Sequence, residues 1–317
     1  MSIPSRSLQQ ARHVQSAQFS PSPRLREELI SECDESVREH VCRQAVCDHY
    51  RDTIDNYRWW SPEGYLHFGY WRWTTNPLAR RAMLEEMNNQ VFHHLQLEQF
   101  QSGKVADLGC GVGGVSRFGC QRFPNLQWFA VNVSEDQIAE ARSRTTGGAI
   151  SYHCGDYHRL PWDDNSFDGA FYMESLCYSL RPAEAISEAC RILRRGTRLV
   201  ITDGFLRRNI ESTSVYFRQL YRGVTNNWAV PNYHEISHVE QWTRQSGMRV
   251  VAKRELGWRL APTAFHSVPL TLLSYLKLLA SRSQKRWRWK QLAACGLSLW
   301  LGLHRRNFGY YMVVLEK

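Results

Sequence analysis

The stretch "VADLGCGVGGVS", Val105 to Ser116, decides the fold. Val105, Ala106 and Leu108 read as the end of a buried strand, and Val115, Phe118 and Phe123 follow at roughly helical spacing. Asp107 thus precedes four glycines, Gly109, Gly111, Gly113 and Gly114, on a strand-to-helix turn. Glycine permits the backbone angles of such a turn and lets a ligand approach the main chain. The helix start beyond it offers free N–H groups and the positive end of the helix dipole. Open α/β folds place nucleotide-type ligands at such a turn, at the carboxyl end of a parallel strand.

Gly109, Gly111 and Gly114 satisfy the dinucleotide pattern GxGxxG, but two neighbours argue against a dinucleotide. The Asp107 carboxylate, two residues before the first glycine, would repel a pyrophosphate and suits an ammonium group. The next strand, "LQWFAVNVS", ends at Asn132, where a dinucleotide fold uses an acid on the ribose. Asparagine still hydrogen-bonds a ribose hydroxyl. Together these favour S-adenosylmethionine, a sulfonium with an amino-acid tail and no phosphate.

Outward from this turn the chain alternates. Strands end near Leu108, Asn132, Cys154, Met173 and Thr202, and helices follow Gly113, Ser134 and Pro182. "ISHVEQWTRQSGM" reads as a further helix, with Ser237 and Glu240 at capping-box spacing. "RVVAKREL" and "FGYYMVVLE" supply the last strands. The expected fold is α/β: a Rossmann-like, doubly wound, mostly parallel sheet of seven strands. Upstream, "LREELISECDESVREHVCRQAVCDHY" reads as helix. "NPLARRAMLEEMNNQVFHHLQLE" reads as a second, entered through Asn76 and Pro77, and "NYRWWSPEGYLHFGYWRW" between them as an aromatic loop.

The expected organisation is a disordered tail over 1–30, a helical N-terminal lid segment over 31–100, and a cofactor-binding core over 101–256. The core carries an insert at about 205–235; a helical cap insert follows over 257–306, and the last strand over 307–317. The later insert separates two strands that a hairpin would join with a few residues, and so long a connection inside a compact domain is usually functional. It is read as a cap over the substrate, with a basic elbow, "SRSQKRWRWKQ".

The 317 residues suffice for a full core, and the net charge of +10 suggests anionic substrates or a membrane surface. The arginines are spread along the chain without an RNA-binding pattern, so no nucleic-acid partner is expected. Nine scattered cysteines without a CxxC pair point to a reduced, cytoplasmic setting, with peripheral membrane contact as a variant of it. Cys110 reads as packing, and His93–His94 lacks partner ligands, so no metal is expected. The tail "MSIPSRSLQQARHVQSAQFSPSPR" has no apolar core and only faintly echoes a transit peptide, and no apolar run reaches membrane-span length.

"VADLGCGVGG", "AVNVSEDQIAEA", "CGDYHRLPWDDNSFDGAFYMESLCYS" and "EACRILRRGTRLVITD", in that order and spacing, resemble the successive motifs of class I S-adenosylmethionine-dependent methyltransferases. "NSFDGAFYMESLCYS" and "YLHFGYW" are similar to the branch holding sterol and tocopherol C-methyltransferases and cyclopropane synthases. The resemblance runs from about Asp48 to Lys253 and implies an antiparallel pairing of the last two strands. It also implies that Asp107, with Gly109 and Gly111, holds the amino-acid end of the cofactor, Asn132 and Gln137 the ribose, and Asp156 and Tyr157 the adenine. His67, Tyr70, Trp71 and Tyr57 become wall candidates at the methionine end. Asn132 departs from the commoner acid, which weakens a charge-assisted hydrogen bond.

Glu174, in "FYMESLCYS", matches an acid common in the C-methylating branch, so it is the candidate base, with His67 and Tyr178 as further catalytic candidates. Alkene methylation creates a carbocation that aromatic faces stabilise and a base quenches. Aromatics cluster in the inserts: Tyr216, Phe217, Tyr221, Trp228 and Tyr233 in one, Trp258, Trp287 and Trp289 in the other. Arg218 and Arg222, one helical turn apart, would grip a diphosphate. The expected activity is C-methylation of an apolar isoprenoid-type molecule: a prenyl diphosphate, sterol or terpenoid. The alternatives are O- or N-methylation of a secondary metabolite, or a cyclase or binding scaffold without methyl transfer.

Overall fold

The computed structural model describes residues 34–148, 150–280 and 296–317. The expected tail over 1–30 and the elbow around Trp287 and Trp289 lie outside the described residues. In chain order the elements are α1 (Glu35–Trp60), α2 (Arg80–His94), β1 (Gly103–Leu108), α3 (Gly114–Arg122), β2 (Leu126–Asn132) and α4 (Glu135–Ser143). There follow β3 (Ile150–Cys154), β4 (Phe167–Met173), α5 (Pro182–Ile192), β5 (Leu193–Leu206), α6 (Val215–Trp228) and α7 (His238–Gln245). The chain continues through β6 (Arg249–Glu255), α8 (Gly257–Phe265) and α9 (Ser267–Ala280) to β7 (Phe308–Glu316), with residues 296–303 also helical.

The seven strands form one sheet in the order β3-β2-β1-β4-β5-β7-β6. β1 to β5 pair in parallel, and β7 runs antiparallel between β5 and β6. Both faces are covered, so β4 is buried at every position. Successive side chains point to opposite faces. Ala106, Tyr172, Ile201 and Val313 pack with Ile186 and Ala189 of α5, while Val105, Phe171, Val200 and Met312 pack with Met87 and Val91 of α2.

Local signals set the helix starts. Gly113 takes the left-handed conformation before α3, Ser134 Oγ accepts the Gln137 N–H at 3.4 Å, and Pro182 opens α5. Gly114 is where two backbones meet: a Cβ there would sit 2.3 Å from the Gly64 carbonyl oxygen. That approach lays the 61–70 segment across the glycine turn. Gly114→Ala must push backbone against backbone, a strain costing about 1–3 kcal/mol. It is expected to lower the melting temperature by several degrees and to weaken ligand binding, readable by calorimetry.

Three boundaries differ from expectation. "NYRWW" belongs to α1, which runs on until Ser61 and Pro62 stop it. α2 begins at Arg80, because Asn76 caps a preceding turn instead, its Oδ1 accepting the Leu78 N–H at 2.9 Å. The capping box at Ser237 does not form: Ser237 makes no side-chain cap, and Glu240 pairs with Lys253 at 2.6 Å.

The described part of the insert lies off the cleft. α8 packs on α2, Thr263 against Met83, and the helical turns at 296–303 pack on α6 through Trp228 Nε1 donating to Ser298 Oγ. None of its described residues lines the ligand cleft. The roof over the cleft is α1.

Candidate active site

A cleft opens at the carboxyl ends of β1, β2 and β4, where the strand order reverses between β1 and β4. Open α/β sheets bind ligands at this reversal. Asp107, Gly109, Gly111, Asn132, Gln137, Asp156, Tyr157, His67, Glu174 and Tyr178 all line it.

Each strand end delivers a different group. Asp107, next to last in β1, is fully buried, with Oδ2 accepting Ser116 Oγ–H at 2.6 Å. Burial pushes its carboxyl up to about 7, the Ser116 hydrogen bond opposing. Gly109, at φ +94°, tolerates no side chain: a Cβ would fall 2.4 Å from Ser175. At the end of β2 the Asn132 amide donates to Gln137 Oε1 at 2.6 Å. The buried Gln137 Nε2 has no partner and faces the cleft. An unsatisfied buried donor beside an amide carbonyl is a ready pair for a ligand's two hydroxyls.

Beyond β3, Asp156 Oδ1 accepts from His158 Nδ1 at 2.6 Å and from the His158 N–H at 2.9 Å. Its Oδ2 takes Arg43 of α1 at 2.5 Å. Burial raises its pKa, but the His158 bonds and the Arg43 charge outweigh that and hold it at about 2. Glu39, Asp156 and His158 lie within metal-ligand reach of one another. Arg181 and Arg43 already neutralise the two carboxylates, so the set is an ion-pair network.

Glu174 follows β4 with φ +50°, a left-handed conformation costing roughly 1–2 kcal/mol outside glycine. Such strain gathers at functional sites. Oε1 accepts the Phe68 N–H at 2.7 Å and the Tyr310 hydroxyl at 2.8 Å. Burial pushes the carboxyl up to about 8 against those two bonds. His67 is buried and, through that burial, lowered to about 4, with Nδ1 donating to the Phe68 carbonyl. An imidazole so acidic is a poor base at neutral pH. Tyr178 OH meets Tyr50 OH at 3.0 Å and donates to the Trp228 carbonyl at 3.3 Å.

Several candidates lie away from the cleft. Tyr70 packs under the Arg259 guanidinium, 5.2 Å from its ring, and Trp71 packs edge-on to Trp73 at 4.6 Å. Both are held to neighbouring helices by main-chain bonds, Tyr70 to Met83 and Trp71 to Arg259, which turns them from the site. The side chain of Tyr57 lies outside the described residues. Arg218 donates to the carbonyls of Glu211 and Thr213, and neither it nor the exposed Arg222 lines the cleft. The insert aromatics Phe217, Tyr221, Trp228 and Tyr233 pack together with Leu206 and Phe308 as a core. Tyr310, Arg43, Tyr50 and Glu39 reach the site without any local sequence signal. Asp203 is different: it stands out as an acid in the apolar run of β5, and it holds the Cys177 N–H at 2.9 Å behind Glu174.

Residues 106–201 match the family described as methyltransferase domain. The chain is 29% identical over 194 residues to "O-methyltransferase resE" of Aspergillus sclerotiorum, covering 59% of this chain and 70% of that protein. It is 24% identical to "24-methylenesterol C-methyltransferase 2" of Arabidopsis thaliana over 48% of this chain and 44% of that one. Across three relatives from Penicillium and Aspergillus, the aligned region spans 51% to 70% of their own length. Among solved structures, the cyclopropane synthase MmaA2 of Mycobacterium tuberculosis superposes with a TM-score of 0.70 at 13% identity, over 87% of this chain and 98% of that one.

Proposed function

We propose, on the premise that this chain belongs to the class I S-adenosylmethionine-dependent methyltransferases, that it methylates a small apolar molecule with Glu174 as the proton acceptor. The cleft residues fit the cofactor: the Asp107 carboxylate for its ammonium group, Gln137 Nε2 and Asn132 Oδ1 for the ribose hydroxyls, Asp156 for the adenine amino group. When bound, the cofactor supplies an electrophilic methyl group and its own leaving group. The protein's part is alignment and proton management. The observation that carries the reading is Glu174: a half-buried carboxyl on a strained backbone, with one oxygen fixed by Phe68 and Tyr310, lining the cleft at the strand end.

The first reading of the reaction is C-methylation of an isoprenoid, in which Glu174 takes the proton that the carbocation must lose. A carboxyl pushed up to about 8 suits a base working near neutral pH. The described insert aromatics do not line the cleft, so cation stabilisation would fall to Tyr50, Tyr157 and Tyr178. A second reading, O-methylation of a secondary metabolite, is favoured by the relative named as an O-methyltransferase. There the same carboxylate would deprotonate a hydroxyl. Incubation with methyl-labelled cofactor and a panel of terpenoids, sterols and phenols tests both. Release of S-adenosylhomocysteine with a methylated product supports the activity, and NMR of the product separates carbon from oxygen. No product across the panel, from protein that binds the cofactor, would favour a scaffold role.

Asp107 and Glu174 predict a pH dependence. In the empty cleft their carboxyls are pushed up to about 7 and about 8. A cationic ligand favours the charged forms, so binding at pH 6 must expel protons that binding at pH 8.5 need not. Affinity for S-adenosylmethionine should rise with pH across this window, approaching about tenfold per unit for each proton released. S-adenosylhomocysteine, which lacks the sulfonium charge, should show a shallower slope. Titration calorimetry in two buffers of different ionisation enthalpy counts the protons. A flat profile for both ligands would remove the carboxylates from the cofactor's surroundings.

A further inference from the structure

Of the 40 Lys and Arg in the chain, nine lie between Gly257 and Arg306, where none of the 30 Asp and Glu lies. Nearly the whole net charge of +10 therefore comes from one insert. Several apolar side chains of the insert's described residues point outward. Leu272, Leu276 and Leu279 of α9, one side of a helix by their spacing, are 58%, 55% and 65% exposed. On the helical turns at 296–303, Trp300 is 50% and Leu303 63% exposed. The two helices are neighbours, since a Cβ built at Gly296 would lie 3.3 Å from Thr271 of α9. Trp300 Nε1 donates to Tyr216 OH, which extends the face onto α6, where Tyr216 is itself 54% exposed. Monomeric proteins seldom leave so many large apolar side chains on neighbouring helices open to water.

We infer that this face docks on an anionic lipid bilayer surface. Amphipathic helices with leucine and tryptophan on one side, set among lysine and arginine, lie in the plane of the headgroups. Basic residues add attraction to acidic lipids. Among the described residues, no helix is long and apolar enough to cross a membrane, so α9 would lie along the surface. Charge decides between occupants. A second copy of the chain, paired face to face, would bring two such basic inserts together and repel. Nucleic acid would satisfy the charge but leave the leucines and the tryptophan unmatched. A bilayer with acidic headgroups answers both properties at once. None of the insert's described residues lines the cleft, so the docking stands independently of methyl transfer.

The test is flotation of the whole chain with vesicles of phosphatidylcholine alone and of phosphatidylcholine mixed with phosphatidylserine. The protein should float with the mixed vesicles about tenfold or more better than with the neutral ones, as several basic residues near the surface imply. Added salt should weaken the preference, a measurement that needs no variant. Leu276→Glu with Leu279→Glu should abolish flotation while leaving cofactor affinity at the wild-type value, which reports a folded core. Three results would each overturn the proposal: no enrichment on the mixed vesicles, undiminished flotation of a folded double variant, or a concentration-dependent dimer that the double substitution dissociates while vesicles bind neither form.

Discussion

Glu174→Gln is expected to lower turnover by about a hundred- to ten-thousand-fold, the usual contribution of a positioned base. Glutamine keeps the shape, and its carbonyl still accepts the Phe68 N–H and the Tyr310 hydroxyl that fix Oε1. Only charge and basicity are removed. Cofactor affinity should fall far less than turnover, since the variant loses only the part of binding linked to the Glu174 proton. The wild-type rate should rise with pH along a limb that the variant lacks, and this signature separates a base from a structural anchor. Product analysis adds a second readout, since an unquenched cation rearranges or is trapped by water. A variant within about threefold of the wild-type rate, with the same product and pH profile, would make Glu174 structural, as base loss costs far more. The proton would then leave through Tyr178, because His67 at about 4 is already too weak a base.

Asp107→Asn should raise the dissociation constant for S-adenosylmethionine about 10- to 150-fold, from a charged hydrogen bond worth about 1.5–3 kcal/mol. Asparagine can still accept from Ser116, so the buried hydroxyl keeps its partner. Alanine would strand that hydroxyl and confound binding with stability, which makes it the weaker experiment. Stability supplies the control. A carboxyl raised from 3.8 to about 7 contributes stability that is fully present below about pH 4 and is lost as pH rises through 7. The empty Asn variant should therefore be at least as stable as the empty wild type at pH 8, even as it binds worse. Calorimetry on both proteins decides the matter: unchanged affinity in a folded variant would take Asp107 out of the site.

What the sequence discloses follows the range of the signal. The glycine turn, the strands ending at Leu108, Asn132 and Met173, and the caps at Ser134 and Pro182 were legible because each rests on a few neighbouring residues. Asn132, Gln137 and Asp156 converge because consecutive strands of a doubly wound sheet end on one edge. Tyr310 reaches Glu174 from 136 residues away, and Arg43 reaches Asp156 from 113; no spacing rule spans such distances. The aromatic-rich segment misled twice. "NYRWW" has the composition of a loop but no breaker before Pro62, so the helix runs through it. Tyr70 and Trp71 share a motif with His67 yet follow the main chain onto α2 and α8. The leucine spacing of α9 was visible, but periodicity says only that a stripe exists, not which way it faces.

β7 follows the six other strands in the chain and yet lies inside the sheet, between β5 and β6. A ribosome would deliver the other six strands first. Until Phe308–Glu316 emerges, the free edge of β5 has no partner, a template open to wrong pairing. β6, which the sheet holds only through β7, has no seat at all. The strand that closes this gap also carries Tyr310, the residue that fixes Glu174. Completion of the fold and anchoring of the Glu174 carboxyl therefore arrive as one event during synthesis, and a nascent chain stalled short of β7 would leave that carboxyl without its Tyr310 bond.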